Sequence, residues 1–191
     1  MCYRDRCKQV GLTLIELLVV IALISIIGAL AVPNLSGWNC RQNTEKDFIN
    51  LASMVTYMHG LAVDRNRTMR LRFDGTRQFI FYEAESVTKK TACDSNDWKE
   101  PPNEAIELKD TGEILYGSFD EKPFQPLVSG SSQVTCFHGD GSVDAGHSTV
   151  VWQVGKVCDG KRYDYQLNIH GSTGFVEKNK FNNLKNDWVD F

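Results

Sequence analysis

The chain has 191 residues, 42% of them hydrophobic, and a formal net charge of −3. This length suits one modest domain in addition to a membrane segment, and the acidic balance excludes a general attraction to nucleic acid or to anionic lipid. The sequence contains neither an internal repeat nor a low-complexity tract, which argues against solenoids and disordered arrays.

A long apolar run follows a basic N-terminal flank. Residues 12–32 are interrupted by only three polar residues, Thr13, Glu16 and Ser25. A helix rises about 1.5 Å per residue, so a run of this length reaches across the ~30 Å hydrocarbon core of a bilayer. Three basic residues and one acidic residue lie within residues 1–10, and a positive flank stays on the cytoplasmic side. The pattern predicts a single transmembrane helix.

Glu16 is the unusual residue of this run, because a carboxylate inside a membrane segment is costly and normally marks a function. A plain single-span anchor explains the length and the basic flank but gives Glu16 no role. A secretory signal peptide would be cut near Ala29-Leu30-Ala31, but such peptides have apolar cores of roughly 7–15 residues. This run is longer and contains a carboxylate, so a third interpretation is favoured.

The N-terminus resembles the leader of type IV pilin-like proteins. The resemblance rests on the basic flank, on Lys8-Gln9-Val10-Gly11 and on Leu12-Thr13-Leu14-Ile15-Glu16. It implies that prepilin peptidase cleaves between Gly11 and Leu12, that the new Leu12 amine is methylated, and that the subunit joins a filament. Leu12 departs from the commoner Phe or Met at the first mature position, but cleavage depends more on Gly11.

In such a filament Glu16 needs a positive partner, because buried ions are tolerated only when they are paired. The predicted partner is the Leu12 amine of a neighbouring subunit. Pro33 resembles the proline found at the matching place in many pilins. It is expected to kink the helix where the bilayer ends, and a simple helix stop is the alternative.

The six cysteines divide into two groups. Cys2 and Cys7 lie in the leader, and an even number remains beyond the membrane segment, which suits two disulfides in an oxidising periplasm. No Cys-x-x-Cys spacing occurs, which argues against a zinc site. The four remaining cysteines allow three connectivities, among which sequence alone does not choose. We expect sequential pairing, Cys40–Cys93 and Cys136–Cys158.

After Pro33 the apolar residues follow a helical period, which predicts that the helix continues to about Arg65 with one face packed on a sheet. That face consists of Phe48, Leu51, Ala52, Val55, Met58 and Ala62.

Beyond Arg65 the period becomes alternating. Thr68–Phe73 and Phe79–Glu83 flank Asp74-Gly75, a strong hairpin signal. Residues 84–133 are polar and are interpreted as long loops around short strands, and the residues from Glu177 to Phe191 as a polar tail. Further strands are predicted at Ile106–Leu108, Ile114–Tyr116, Val134–Phe137, Thr149–Val157, Tyr163–Ile169 and Gly174–Val176, with turns at Asp140-Gly141 and Asp159-Gly160.

One helix followed by a run of hairpins predicts an α+β fold, with the helix packed on antiparallel sheets as in pilins. The expected organisation has four parts. They are a leader at 1–11, a transmembrane and filament-core helix at 12–33, an amphipathic helix at 34–66 and a β-rich periplasmic or extracellular head at 67–191.

The distal half is similar to the GspH/FimT group of minor pilins and pseudopilins. The similarity rests on Val134-Thr135-Cys136-Phe137 leading into Asp140-Gly141-Ser142, then on Thr149-Val150-Val151, and on Tyr165-Gln166-Leu167-Asn168-Ile169 closing on Gly171. In DNA-binding members of the group, the last strand opens with a Gly-Arg-x-Arg-like motif. Here the place reads Gly171-Ser172-Thr173-Gly174-Phe175, without the arginines.

A cluster of arginines forms a basic patch in the sequence. Phosphate binding by such a patch, with aromatic residues of a neighbouring strand stacking bases, is one interpretation. The favoured alternative is a solvated outer face or a contact to an acidic neighbouring subunit. The cluster consists of Arg65, Arg67, Arg70, Arg72 and Arg77.

Other chemistry has weaker signals. Asp140-x-Ser142-x-Asp144 alternates oxygen ligands like a calcium loop, but the glycine falls one place late and position twelve is Val151, so a hairpin turn is favoured. The histidines are scattered without a close ligand pair, and no Ser-His-Asp set is recognisable. We expect no metal, no cofactor and no enzyme activity.

The sequence therefore predicts a minor pilin that primes or caps a type IV pilus. A pseudopilin of the type II secretion system and a DNA-binding minor pilin are the alternatives. The expected partners are prepilin peptidase, other pilin or pseudopilin subunits, the inner-membrane assembly platform and, before assembly, membrane lipid. Nucleic acid is not expected. The protein is expected in the bacterial inner membrane with its head in the periplasm, and later in the filament.

Overall fold

The computed structural model describes residues 13–74, 78–84, 93, 96, 98–99, 104–109, 112–118, 121–126, 133–144 and 149–191. These residues form one long helix and eleven strands, which pair into two antiparallel sheets. The chain divides into two compact units, residues 1–38 and residues 39–191, and the second unit contains both sheets. The predicted packing of a helix on antiparallel sheets is confirmed.

Helix α1 runs from Leu14 to Arg65. It continues through Pro33, so Pro33 does not end the helix. At the C-terminus, Asn66 takes a left-handed conformation with φ 48°. Asn66 N then donates to Val63 O at 3.2 Å and Arg67 N to Ala62 O at 3.0 Å, which is the Schellman arrangement that satisfies the last carbonyls. The predicted end near Arg65 is confirmed.

The first sheet has five strands in the order β3-β2-β1-β6-β7. Strands β1 and β2 form the hairpin predicted around Asp74-Gly75, with Met69 opposite Glu83 and Phe73 opposite Phe79. The strand bounds are Met69–Phe73 for β1, Gln78–Glu83 for β2, Glu104–Glu107 for β3, Gln133–Phe137 for β6 and Val143–Asp144 for β7.

The second sheet has six strands in the order β11-β10-β9-β8-β4-β5. Its longest pair joins at Asp159 and Gly160, whose φ angles of 50° and 73° fit the tight hairpin turn predicted there. The strand bounds are Glu113–Ser118 for β4, Glu121–Pro126 for β5, Thr149–Cys158 for β8, Lys161–His170 for β9, Val176–Asn182 for β10 and Asp187–Asp190 for β11.

The core lies between α1 and the two sheets. The predicted stripe of α1, from Phe48 to Ala62, is buried throughout. The Phe48 ring stacks on Tyr165 of β9 at 5.3 Å between centroids. Phe79 of β2 meets Trp152 of β8 at 4.9 Å, so the two sheets share this core with the helix.

The disulfides are Cys40–Cys158 and Cys93–Cys136, so the predicted sequential pairing is wrong. Cys136 lies in β6 and Cys158 at the end of β8, and these strands belong to different sheets. Cys158 instead meets Cys40 of α1, and Cys136 meets the segment that contains Cys93. Neighbours along the sequence are therefore not neighbours in the fold.

The predicted polar tail from Glu177 to Phe191 is also wrong, because most of it forms the hairpin β10–β11. Strand β10 pairs with β9 over five residues from Val176 to Lys180. Across the hairpin Phe181 packs on Trp188 at 5.4 Å, and Phe191 packs on Phe48 at 5.3 Å. Strand pairing and these aromatic contacts order a segment whose average polarity is typical of an unstructured tail. Strand β5 also lies in the region interpreted as loops.

Removing the disulfide between α1 and β8, by Cys40→Ser together with Cys158→Ser, is expected to lower the free energy of unfolding by about 2–5 kcal/mol, because the bond closes a long loop of the unfolded chain. Urea denaturation of the full chain in detergent measures the loss. Peptide mapping without reduction should join Cys40 to Cys158, and a Cys40–Cys93 peptide pair would contradict the fold.

Candidate functional site

The residues predicted for processing and assembly lie at the start of the chain. Gly11 and Leu12 are outside the described residues. Thr13 and Glu16 are described, and they bond to each other at the first turn of α1. Thr13 N and Thr13 Oγ1 each donate to Glu16 Oε2 at 2.8 Å, and Glu16 N lies 3.3 Å from Thr13 Oγ1.

This reciprocal pattern is a capping box at the N-terminus of α1. Thr13 caps the helix, and the Glu16 carboxylate accepts from the backbone N–H of Thr13, which has no partner within the helix. The capping box turns the Glu16 carboxylate back toward Thr13 at the start of the helix. Sequence analysis assigned Glu16 an intermolecular partner and missed this local one. The threonine three residues before a glutamate was the available signal.

The helix surface that follows is apolar and exposed. From Leu14 to Ile27, each large apolar side chain is at least 47% exposed. Exposed apolar surface of this extent marks an interaction site. No helix within the described ranges is long and apolar enough to cross a membrane, so the predicted transmembrane helix is not confirmed there.

Three basic side chains contact one carboxylate, Glu83 of β2. Arg65 and Arg67 belong to the arginine cluster, and the third is Lys99. Arg65 Nη1 lies 2.8 Å from Glu83 Oε2, while Arg67 Nε and Lys99 Nζ lie 3.2 and 2.9 Å from Oε1. The Glu83 side chain is only 5% exposed. Burial raises the pKa of this carboxyl, but Lys99 and Arg65 outweigh burial, and the pKa of Glu83 lies below its ordinary value. Glu83 is therefore ionised and holds the C-terminus of α1 to the first sheet.

Arg70 and Arg72 project from β1 onto aromatic rings. The Arg70 guanidinium lies 4.6 Å from the Tyr82 ring and 4.3 Å from the Trp98 ring. Arg72 lies 5.1 Å from the Tyr82 ring, and its Nη2 donates to Tyr82 Oη at 2.7 Å. Such cation–π contacts are each worth about 0.5–2 kcal/mol.

The arginine cluster is therefore not an open basic patch. Stacking of bases by aromatic residues of a neighbouring strand was the less favoured interpretation, and in the structure Tyr82 stacks on Arg70 and Arg72. Arg65 and Arg67 are paired with Glu83, and Arg77 lies outside the described residues. Sequence analysis missed Glu83 and Trp98, since pairing across strands is invisible in the local pattern.

The residues considered as a calcium loop, from Asp140 onward, form a turn that packs against α1. Asp140 Oδ1 accepts from Ser142 N at 2.9 Å, which forms the turn between β6 and β7. Across that turn, Gly141 O lies 3.1 Å from His59 Nε2 of α1. His59 occupies the space into which a side chain on Gly174 would project, so the β9–β10 turn packs against the helix. Gly174 in this turn has a φ angle of 64°. In the described part of the chain, no group of His, Cys, Asp and Glu side chains is arranged to hold a metal ion.

Comparison with known proteins bears on the N-terminus. Residues 6–32 match the prokaryotic N-terminal methylation motif. This match implies a type IV pilin-like protein that prepilin peptidase cleaves and that assembles with other pilin subunits. No curated protein and no solved structure matches the chain. The predicted type IV pilin-like signal is confirmed, while the cleavage position between Gly11 and Leu12 and the assignment to the GspH/FimT group stay predictions.

Glu83→Gln is expected to lower the free energy of unfolding by about 1–2 kcal/mol at pH 7. A fully buried pair would cost more, but Arg65 and Lys99 are about half exposed. A carboxyl with a lowered pKa stabilises the fold above its unfolded pKa, and this contribution is lost as the pH falls through the folded pKa.

The difference between wild type and Glu83→Gln should therefore close below about pH 4, where glutamates protonate. Urea denaturation at pH 7 and at low pH measures both points. Glu107→Gln is the matched control, because the Glu107 carboxylate on β3 is 47% exposed and 3.6 Å from Lys109. An equal loss in both variants would show that the Glu83 cluster has no special role.

Proposed function

We propose that the protein is a minor pilin of the GspH/FimT type, which primes or caps a type IV pilus after cleavage by prepilin peptidase. The methylation motif at residues 6–32 is the observation that carries this proposal. The motif suggests a protein that is first anchored in the membrane and then built into a filament. A β-rich unit then forms the head that the filament displays.

The start of α1 supports the assembly role. Cleavage after Gly11 would leave Thr13 as the second residue of the mature chain and a positive amine on Leu12. The carboxylate of Glu16 is exposed and directed to this end of the helix, while the next turns present apolar side chains. Neighbouring subunits that bury these side chains must also neutralise the carboxylate, and a Leu12 amine of another subunit supplies the charge.

The arginine contacts favour assembly over DNA capture. Phosphate binding needs Lys or Arg side chains that are available to contact phosphates and release the counter-ions bound there. Four arginines of the cluster already contact Glu83, Tyr82 or Trp98. The β9–β10 turn reads Gly171-Ser172-Thr173-Gly174-Phe175, without the arginines that DNA-binding members of the group carry there.

Gly11→Val is expected to block cleavage, because the peptidase must approach the backbone closely at this residue. The precursor should persist on immunoblots, and the protein should be absent from the sheared surface filament fraction. Gly28→Ala is the matched control, since a side chain there meets nothing within 4 Å and normal processing is expected. Normal cleavage of Gly11→Val would contradict the proposal. A wild-type protein that is cleaved but never reaches surface filaments would favour a type II secretion pseudopilin.

Glu16→Gln separates the charge of Glu16 from its capping role. Glutamine also completes a capping box, so the first turn of α1 and leader cleavage should stay intact. Incorporation into filaments should nevertheless fall about tenfold, because the neighbouring amine loses its counter-charge. Quantitative mass spectrometry of the filament fraction measures the effect. Wild-type incorporation of Glu16→Gln would show that capping suffices and that charge pairing is not required.

A further inference from the structure

A cleft of about 430 Å³ lies between α1 and the strands β9 and β10. Its walls include Arg41 from the helix, Tyr163 and Tyr165 from β9, and Lys180 from β10. All these residues belong to the unit formed by residues 39–191. The residues described above for processing and assembly lie elsewhere in the chain.

The cleft is built by the core and by a disulfide. The Cys40–Cys158 bond fixes α1 to the end of β8, and the next residue, Arg41, places its guanidinium 5.4 Å from the Tyr163 ring centroid. Tyr165 is 3% exposed and donates to Glu45 Oε2 at 3.3 Å. Burial and the Glu45 charge raise the pKa of Tyr165 to about 12, so its phenol is neutral at physiological pH.

The cleft lining carries two cations, Arg41 and Lys180, and one carboxylate, Asp164. The guanidinium of Arg41 reaches Glu45 only at 3.9 Å. The Asp164 carboxylate pairs with Arg162 at 2.9 Å, and Arg162 also pairs with Glu113 at 2.7 Å. Lys180 lies 5.9 Å from the Phe191 ring centroid, and among the described residues it has no ion-pair partner.

The rim adds an apolar contact. Leu184, in the turn between β10 and β11, lines the cleft and is 99% exposed. A large apolar side chain beside a charged cleft fits a protein partner better than a small anion, because interfaces combine an apolar contact with oriented polar groups. Arg41 lies on α1, so a subunit that packs along this helix comes within reach of the cleft.

We propose that the cleft binds a carboxylate side chain of a neighbouring filament subunit, with Lys180 as the counter-ion and Leu184 as the adjacent apolar contact. The proposal rests on the filament role given above. It names a second contact between subunits, separate from Glu16 and located in the head.

Lys180→Glu tests the contact by placing like charges opposite each other, which is strongly unfavourable across an interface. The amount of full-length protein in the sheared filament fraction should fall about tenfold or more. Lys178→Glu is the matched control. It makes the same charge change two residues away on β10, at an exposed lysine that does not line the cleft, and should stay within about twofold of wild type because exposed charges are screened.

A carbodiimide, which couples a carboxylate directly to a lysine amine, identifies the partner. In wild-type filaments, peptide mass spectrometry should find Lys180 joined to an Asp or Glu of another pilin subunit, and this product should be absent from detergent-extracted monomer. Equal incorporation of Lys180→Glu and Lys178→Glu, or no coupling of Lys180 above that of Lys178, would overturn the proposal. Absence of the wild-type protein from filaments would instead overturn the filament role, so the two failures are distinguishable.

Discussion

The buried face of α1 lies against two separate sheets, and the head depends on this shared packing. Phe48 contacts Tyr165 of the second sheet, and beside the buried stripe His59 and the half-exposed Tyr57 contact Phe137 and Phe81 of the first. Each fully buried large apolar side chain contributes about 1.5–3 kcal/mol relative to an exposed one. Neither sheet has another helix among the described residues to cover its inner face. The helix therefore both supports the fold and carries the assembly motif.

Two sets of bonds fix the helix at the ends of this buried face. At Cys40 the bond to Cys158 attaches it to the second sheet, and at Arg65 the bond to Glu83 attaches it to the first. The first attachment also places Arg41 over Tyr163 and so shapes the proposed carboxylate cleft. The second occupies arginines that would otherwise be available to phosphate. The same contacts that stabilise the head thus support the proposal of protein partners over nucleic acid.

Local pattern was enough to predict much of this structure. The helical period from Phe48 to Ala62, the pairing of β1 with β2 as a hairpin and the turn at Asp159-Gly160 depend on neighbours along the chain, and all were predicted correctly. The type IV pilin-like signal was recognised for the same reason, because the residues that define it follow one another in the sequence. The exact role of Glu16 in a filament stays a prediction, since it concerns another subunit.

The features that sequence analysis missed depend on tertiary contacts. The disulfide pairing follows from which sheet holds each cysteine, and no spacing encodes that. The β10–β11 hairpin is polar on average, and its order comes from pairing with β9 and from Phe191 packing on Phe48. The arginine cluster looked available because Glu83 and Trp98 are distant in sequence. In each case a contact with a residue distant in sequence determines the structural role, and the local sequence does not show that contact.

The intact mass of the protein recovered from purified filaments shows whether the chain is a processed filament subunit. We expect one species that begins at Leu12, has one amine hydrogen replaced by a methyl group, and lacks the four hydrogens released by two disulfides. This mass would show processing, filament incorporation and the oxidised fold in the same molecule. A species that begins at Val32 or Pro33, or a protein found only as the uncleaved precursor, would show that the chain is not a processed filament subunit.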